Sequence, residues 1–186
     1  RNLPAGNLLT GDLEVGKVEL GFPLPALATE ILTTTGHHLR ERSPQRQPLT
    51  EGRFEKVSMA GRPGFDASLL LSAGEPGFGF EHGEVYSVHV GWSGNSVLSA
   101  ERQPYTTGLI GGGEVLLGGE ATLARGETYT TPWLYGSYGD GLNEVAARFH
   151  DYVRSCHPDL AVKPRPVILN TWEAVYFDHD YDTLKA

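Results

Sequence analysis

Apolar positions in this chain come in short alternating runs, not in long stripes. Tyr86, Val88, Val90 and Trp92 alternate with Val85, Ser87, His89 and Gly91. That spacing predicts a strand with one apolar and one mixed face, and places Trp92 in the core beside Tyr86, Val88 and Val90. Leu69, Leu70 and Leu71 read as a buried run. Glu114–Leu117, Ala121–Leu123 and Glu127–Thr130 predict short strands, parted by turns at Gly118-Gly119 and Arg125-Gly126 where glycine supplies positive φ. Gly111-Gly112-Gly113 has the glycine content of a phosphate loop, but no Lys-Ser/Thr and no helix follow it, so it predicts another turn. Strand signals of this kind run from about residue 13 to 132.

The period then changes. Leu142, Val145, Phe149 and Tyr152 recur at helical spacing over 140–156, with Asp140 as the expected N-cap. Residues 157–166, with three prolines, predict a linker. Val167, Ile168 and Leu169 form the unbroken apolar run of a parallel strand buried on both faces, and Asn170, Trp172 and Glu173 stand at its C-terminal end. A helix is expected to open near Asp182. Barrels of alternating strand and helix bind ligands at that end of their strands, whereas a strand closing on a polar turn would use Trp172 as core. The expected organisation is a strand-rich domain over 1–139, a helix and linker over 140–165, and a new domain opening at 166–186.

Composition narrows the function classes. A net charge of −8 argues against nucleic-acid and anionic-membrane partners, which call for basic faces. Cys156 is the only cysteine, so no intrachain disulfide forms, and a buried or half-buried thiol is expected. No basic segment leads into an apolar one at the start, and no apolar run nears 20 residues, so the cytoplasm is the expected location. The start at Arg1 and the stop inside a helical pattern suggest an excised piece of a longer chain.

Several clusters invite chemistry. Asp178-His179-Asp180 precedes a helical stretch, where acids favour the positive end of the dipole, so capping explains it better than a metal. His37 and His38 are neighbours on a strand and face opposite ways, which suits one metal poorly. Arg40, Glu41, Arg42 and Arg46 suit either a solvated loop or charges on another domain or subunit, and Trp133 suits either core or a sugar-binding face. No pair of carboxylates stands out as the two that glycoside hydrolysis needs.

Asn170-Thr171-Trp172-Glu173-Ala174 followed by Tyr176-Phe177-Asp178 is similar to the first barrel strand of the retaining α-galactosidases of glycoside hydrolase family 36. Arg40-Glu41-Arg42-Ser43-Pro44-Gln45-Arg46, Trp92-Ser93-Gly94-Asn95 and Thr130-Thr131-Pro132-Trp133-Leu134-Tyr135-Gly136 resemble stretches of the β-sandwich that precedes that barrel. The four landmarks keep the family's order from about residue 36 to 186. The resemblance implies a mainly β fold: an antiparallel sandwich of the galactose mutarotase-like (supersandwich) type, a linking helix, then the first strand and helix start of a (β/α)8 barrel. It implies release of terminal α-linked galactose with retention through a glycosyl-aspartate, without cofactor or metal. The aspartates for that chemistry belong to later strands, so these 186 residues alone are expected to be inactive. Trp172 matches the tryptophan lining the galactose pocket, and Asn170 and Glu173 are assigned to hydrogen-bonding support. The implied partners are an α-galactoside, the chain's own barrel and, for the whole enzyme, a second copy in a homo-oligomer. The alternatives are a stand-alone carbohydrate-binding sandwich, or an enzyme of the same architecture acting as an α-N-acetylgalactosaminidase or galactosyl transferase.

Overall fold

A computed structural model of the chain describes residues 13–65 and 70–185. The chain divides into two units, Arg1–Phe149 and His150–Ala186. In the first, the strands are β1 (Leu13–Glu14), β2 (Lys17–Leu24), β3 (Glu30–His37), β4 (Arg40–Pro48), β5 (Gly52–Ser58), β6 (Leu70–Gly74), β7 (Glu84–Val90), β8 (Ser96–Gln103), β9 (Thr106–Val115), β10 (Thr122–Leu123) and β11 (Leu134–Asp140). They build the antiparallel sandwich expected: a five-stranded sheet β11-β7-β6-β3-β4 against a four-stranded sheet β2-β9-β8-β5, with β1 and β10 as a short extra pair.

Register decides which residues fill the space between the sheets. Leu71 pairs with Val88, Ala73 with Tyr86, and Leu134 with Val90, which puts one apolar row on the inner face of the larger sheet. Ile110 pairs with both Ala100 and Phe22 on the smaller sheet. Leu24, Ile31, Leu71, Val88, Leu98 and Ile110 are buried together there. Burying each such side chain contributes about 1.5–3 kcal/mol, so this layer is the main source of stability.

The opposite face of β7 is buried as well. Val85 packs with Phe78 and Val145, and Leu32, Leu142 and Phe149 surround them. The cover is the start of α1 (Leu142–Cys156). Small serines let it come close: Ser72 and Ser87 share a hydrogen bond of 2.6 Å, and Ser137 donates to the Val145 carbonyl at 3.2 Å. Free amides at the helix start need acceptors. Those of Gly141, Leu142 and Asn143 find the carbonyls of Gly83, Gly79 and Phe80 at 2.9–3.0 Å. Gly141 sits at φ +85°, and a β-carbon there would lie 2.4 Å from the Phe80 oxygen, so glycine is required.

On the outer face of the smaller sheet, charges bridge four strands. Lys17 contacts Glu19 at 2.9 Å and Glu55 at 2.8 Å. Arg53 pairs with Glu19, and with Glu55 at 3.0 Å. Gly111 and Gly113 occupy the strand between, opposite Ser99 and Glu19 respectively, and leave the long side chains room to meet. Hydrogen bonds from Lys17 hold the Glu55 carboxyl below its usual range. Burial works to raise Glu19, and hydrogen bonds from Lys17 and Arg53 outweigh it. Carboxyls held low in the folded state contribute stability above their unfolded value, and that contribution is lost as pH falls through the folded value. Thermal unfolding from pH 6 to 3 in low salt is therefore expected to show a smaller drop in Tm for Glu55→Gln than for the unsubstituted chain. The difference should be modest, since such pairs each give under about 1 kcal/mol.

Several sequence expectations are corrected here. Gly111-Gly112-Gly113 is no turn but the middle of β9. Glu127–Thr130 forms no strand; the Glu127 carboxylate instead closes a turn on the Ala124 amide at 2.9 Å. Trp92 lies beyond the end of β7 and is 41% exposed, because the ladder with β11 stops at the Leu134–Val90 pair. Leu71 is buried but Leu70 is 40% exposed, and Leu69 lies outside the described residues. Asp140 ends β11 and caps nothing; its own amide donates to Glu144 at 2.7 Å, the reverse of the expected cap. The turns at Gly119 and Gly126 form as expected, both at positive φ.

In the second unit, Tyr152 and Cys156 on the last turns of α1 are exposed, so the expected burial of both fails. A 3₁₀ turn, Pro158–Ala161, follows. Val167, Ile168 and Leu169 carry no strand pairing and are exposed, where a buried strand was expected. A parallel strand takes its hydrogen bonds from strands on either side, and the described residues offer this segment none. Two short helices close the unit, α2 (Trp172–Val175) and α3 (Tyr181–Lys185). No helix among the described residues is long and apolar enough to cross a membrane.

Candidate functional site

The residues singled out by the sequence converge on the turn from Asn170 to Asp180. Asn170 folds its side-chain carbonyl onto the Trp172 amide at 3.0 Å, a local bond at which asparagine excels. That bond starts α2, whose turn closes through Val175 N–H to Thr171 O at 3.0 Å and Tyr176 N–H to Trp172 O at 3.0 Å. Tyr176 then takes φ 47°, ψ −109°, a conformation that side chains with a β-carbon resist, and the chain reverses. The reversal is tied by Asp178 N–H to Val175 O at 2.9 Å.

Two rings are thereby returned to the indole. The Tyr176 ring lies 5.4 Å from that of Trp172 at 82°, and the Phe177 ring lies 5.1 Å away at 87°. These are favourable edge-to-face arrangements. Trp172 keeps half of its surface open. Glu173 is exposed on α2. Thr171 Oγ1 and His179 Nε2 stand 3.3 Å apart, joining the two ends of the turn. Asp180 accepts the Thr183 amide at 3.0 Å at the start of α3, the capping role expected of this acidic cluster. Hydrogen bonds from Thr183 hold its carboxyl below the usual range. The arrangement offers an apolar platform with one N–H donor, suited to the C–H face and a hydroxyl of a sugar.

Asn170, Trp172 and Glu173 are thus neighbours, with Asn170 acting on Trp172 through the backbone. Tyr176 and Phe177 were missed as members of the cluster. Their spacing of four and five from Trp172 was the available signal, but contact depends on the reversal at Tyr176, which no pattern announces. Among the other candidates, Arg46 is no loop residue: it lies on β4, pairs with Glu30, donates to the Phe78 carbonyl at 2.7 Å and stacks 4.4 Å over the Phe78 ring. Arg40 and Arg42 are exposed on the same edge strand. Trp133 is 76% exposed, which excludes it from the core of the sandwich. Among the described residues no group of three His, Cys, Asp or Glu is placed to hold a metal ion.

Two family models match the chain. The model of the glycosyl hydrolase family 36 N-terminal domain matches residues 5–124, and the melibiase model matches residues 128–186. An alpha-galactosidase of Escherichia coli is 35% identical over 180 residues, covering 95% of this chain and 25% of that protein. The solved galactosidase domain of AgaSK, the bifunctional alpha-galactosidase/sucrose kinase of Mediterraneibacter gnavus, superposes with a TM-score of 0.76 at 28% identity, over 91% of this chain and 24% of that one. Variants of AgaA from Geobacillus stearothermophilus, in complex with raffinose and with stachyose, superpose with TM-scores of 0.72 and 0.70 at 25% and 26% identity, over 89% and 86% of this chain and 23% and 22% of theirs. The chain spans about a quarter of the length of these relatives. The N-terminal domain model alone matches more than half of the chain, and the chain belongs to glycosyl hydrolase family 36.

Proposed function

We propose that this chain is the N-terminal portion of a retaining α-galactosidase that releases terminal galactose from raffinose-type oligosaccharides and other α-galactosides. The observation that carries this is the continuous likeness to the Escherichia coli alpha-galactosidase over 95% of the chain, through both the sandwich and the Asn170–Phe177 turn. The stachyose and raffinose held by the Geobacillus stearothermophilus relatives support the substrate class. Residues 1–139 serve as the sandwich domain, 140–165 as the connection, and 166–186 as the opening of the barrel, where Val167–Leu169 becomes a strand once flanking strands are present. Trp172 contacts the galactose ring, and Asn170 and Glu173 support it by hydrogen bonding. The nucleophile and the acid/base are aspartates of later barrel strands, working as the carboxyl pair of a retaining enzyme. The enzyme acts in the cytoplasm, and its exposed edge strands favour burial against the barrel or a second copy in a homo-oligomer.

The test compares the 186 residues with the full-length enzyme on 4-nitrophenyl α-D-galactoside. The full-length enzyme is expected to release nitrophenol, and the 186 residues to neither hydrolyse the substrate nor bind galactose measurably. Turnover by the 186 residues would sink the placement of the catalytic groups. Tight galactose binding by them would favour a carbohydrate-binding module instead.

A further inference from the structure

We infer that Tyr176 and Phe177 are positioning residues for the sugar-binding indole of Trp172, a role that rests on the proposed galactosidase reading. The rings of Trp172, Tyr176 and Phe177 gather at one short turn. A tryptophan on a single exposed helical turn would otherwise sample several rotamers, and a ligand would have to select one of them. Here the indole meets two rings, each nearly perpendicular to it, at 5.4 and 5.1 Å. From the other side Asn170 holds the Trp172 amide, so backbone and ring are fixed independently.

The backbone at Tyr176 points the same way. A tyrosine at φ 47°, ψ −109° is strained, and such residues persist where the surroundings over-determine them, commonly at ligand sites. Glycine would adopt this turn without strain, but it would leave the indole without one of its two braces. The strained turn is what folds Phe177 back onto Trp172 while Asp178 seals it with its amide. The cluster thus orders the platform before the sugar arrives, which lowers the ordering cost of binding.

Kinetics of the full-length enzyme on 4-nitrophenyl α-D-galactoside, with galactose as competitive inhibitor, test this. Phe177→Leu and Tyr176→Ala are each expected to raise KM and the galactose inhibition constant roughly 10-fold, with kcat changed by less than about 2-fold, as a loss of binding shared by ground and transition state requires. Tyr176→Phe, which keeps the ring, should recover most of the loss. In a Trp172→Ala background, Phe177→Leu should add nothing, because coupled residues are not additive. A fall in Tm with KM unmoved, or an undiminished Phe177→Leu effect without Trp172, would reduce the rings to structural packing. Should Phe177→Leu fail to fold, the Tyr176 pair of variants reads the same point. An unsubstituted enzyme that hydrolyses no α-galactoside overturns the galactosidase reading itself, and this inference falls with it.

Discussion

Trp172→Ala in the full-length enzyme is expected to lower kcat/KM for 4-nitrophenyl α-D-galactoside by about 100-fold, or ~2.7 kcal/mol of transition-state stabilisation. The size follows from what the indole can offer. In the proposed pocket its apolar face would cover sugar C–H groups and its N–H would donate once, and an aromatic anchor at the centre of a binding site carries a large share of the binding energy. In the 186 residues the same substitution should leave Tm within about 2 °C, because α2 buries no residue there. Trp172→Phe keeps a smaller platform and should lose roughly 10-fold. An active enzyme indifferent to Trp172→Ala would keep the family and remove Trp172 from the pocket.

Much of the sandwich could be read in advance because its central strand alternates strictly. Tyr86, Val88 and Val90 do face one core, as their spacing predicts. The burial of Val85 and Ser87 on the other face was not legible, since it depends on α1 lying there, a tertiary event held by Ser137 and the Gly79–Gly83 carbonyls. The stripe of α1 was legible for Leu142, Val145 and Phe149, then failed at Tyr152, where the period continues past the surface that needs it. Trp92 failed for the same reason at a strand end. The motif gave Asn170, Trp172 and Glu173 as neighbours, yet the rings that complete the cluster follow from one unusual backbone angle. Val167–Leu169 shows the limit in another form: an unbroken apolar run predicts burial, and among the described residues nothing pairs with it or covers it.

Gly113→Val tests the largest structural misreading, and it is expected to destabilise the sandwich by about 3–5 kcal/mol, the range of severe steric defects. Glycine signals a turn locally because it tolerates positive φ, but Gly113 has no such φ and sits in the middle of an eight-residue pairing between β9 and β2. Its role is close approach. A β-carbon on Gly113 would lie 1.9 Å from the Val18 oxygen and 3.0 Å from the Glu19 Cα, and both belong to backbone that cannot rotate away. Relief requires β2 to leave the sheet, which would uncover Leu24 and separate Glu19 from Arg53 and Ser99. Thermal unfolding should show Tm lowered by roughly 10 °C, since about 1 kcal/mol moves a chain of this size by ~2–4 °C. Gly16→Ala is the control: nothing lies within 4 Å of its added carbon, so its Tm should stay within about 2 °C of the unsubstituted chain. A Gly113→Val chain as stable as the control would mean that β2 and β9 do not meet as closely as their register requires.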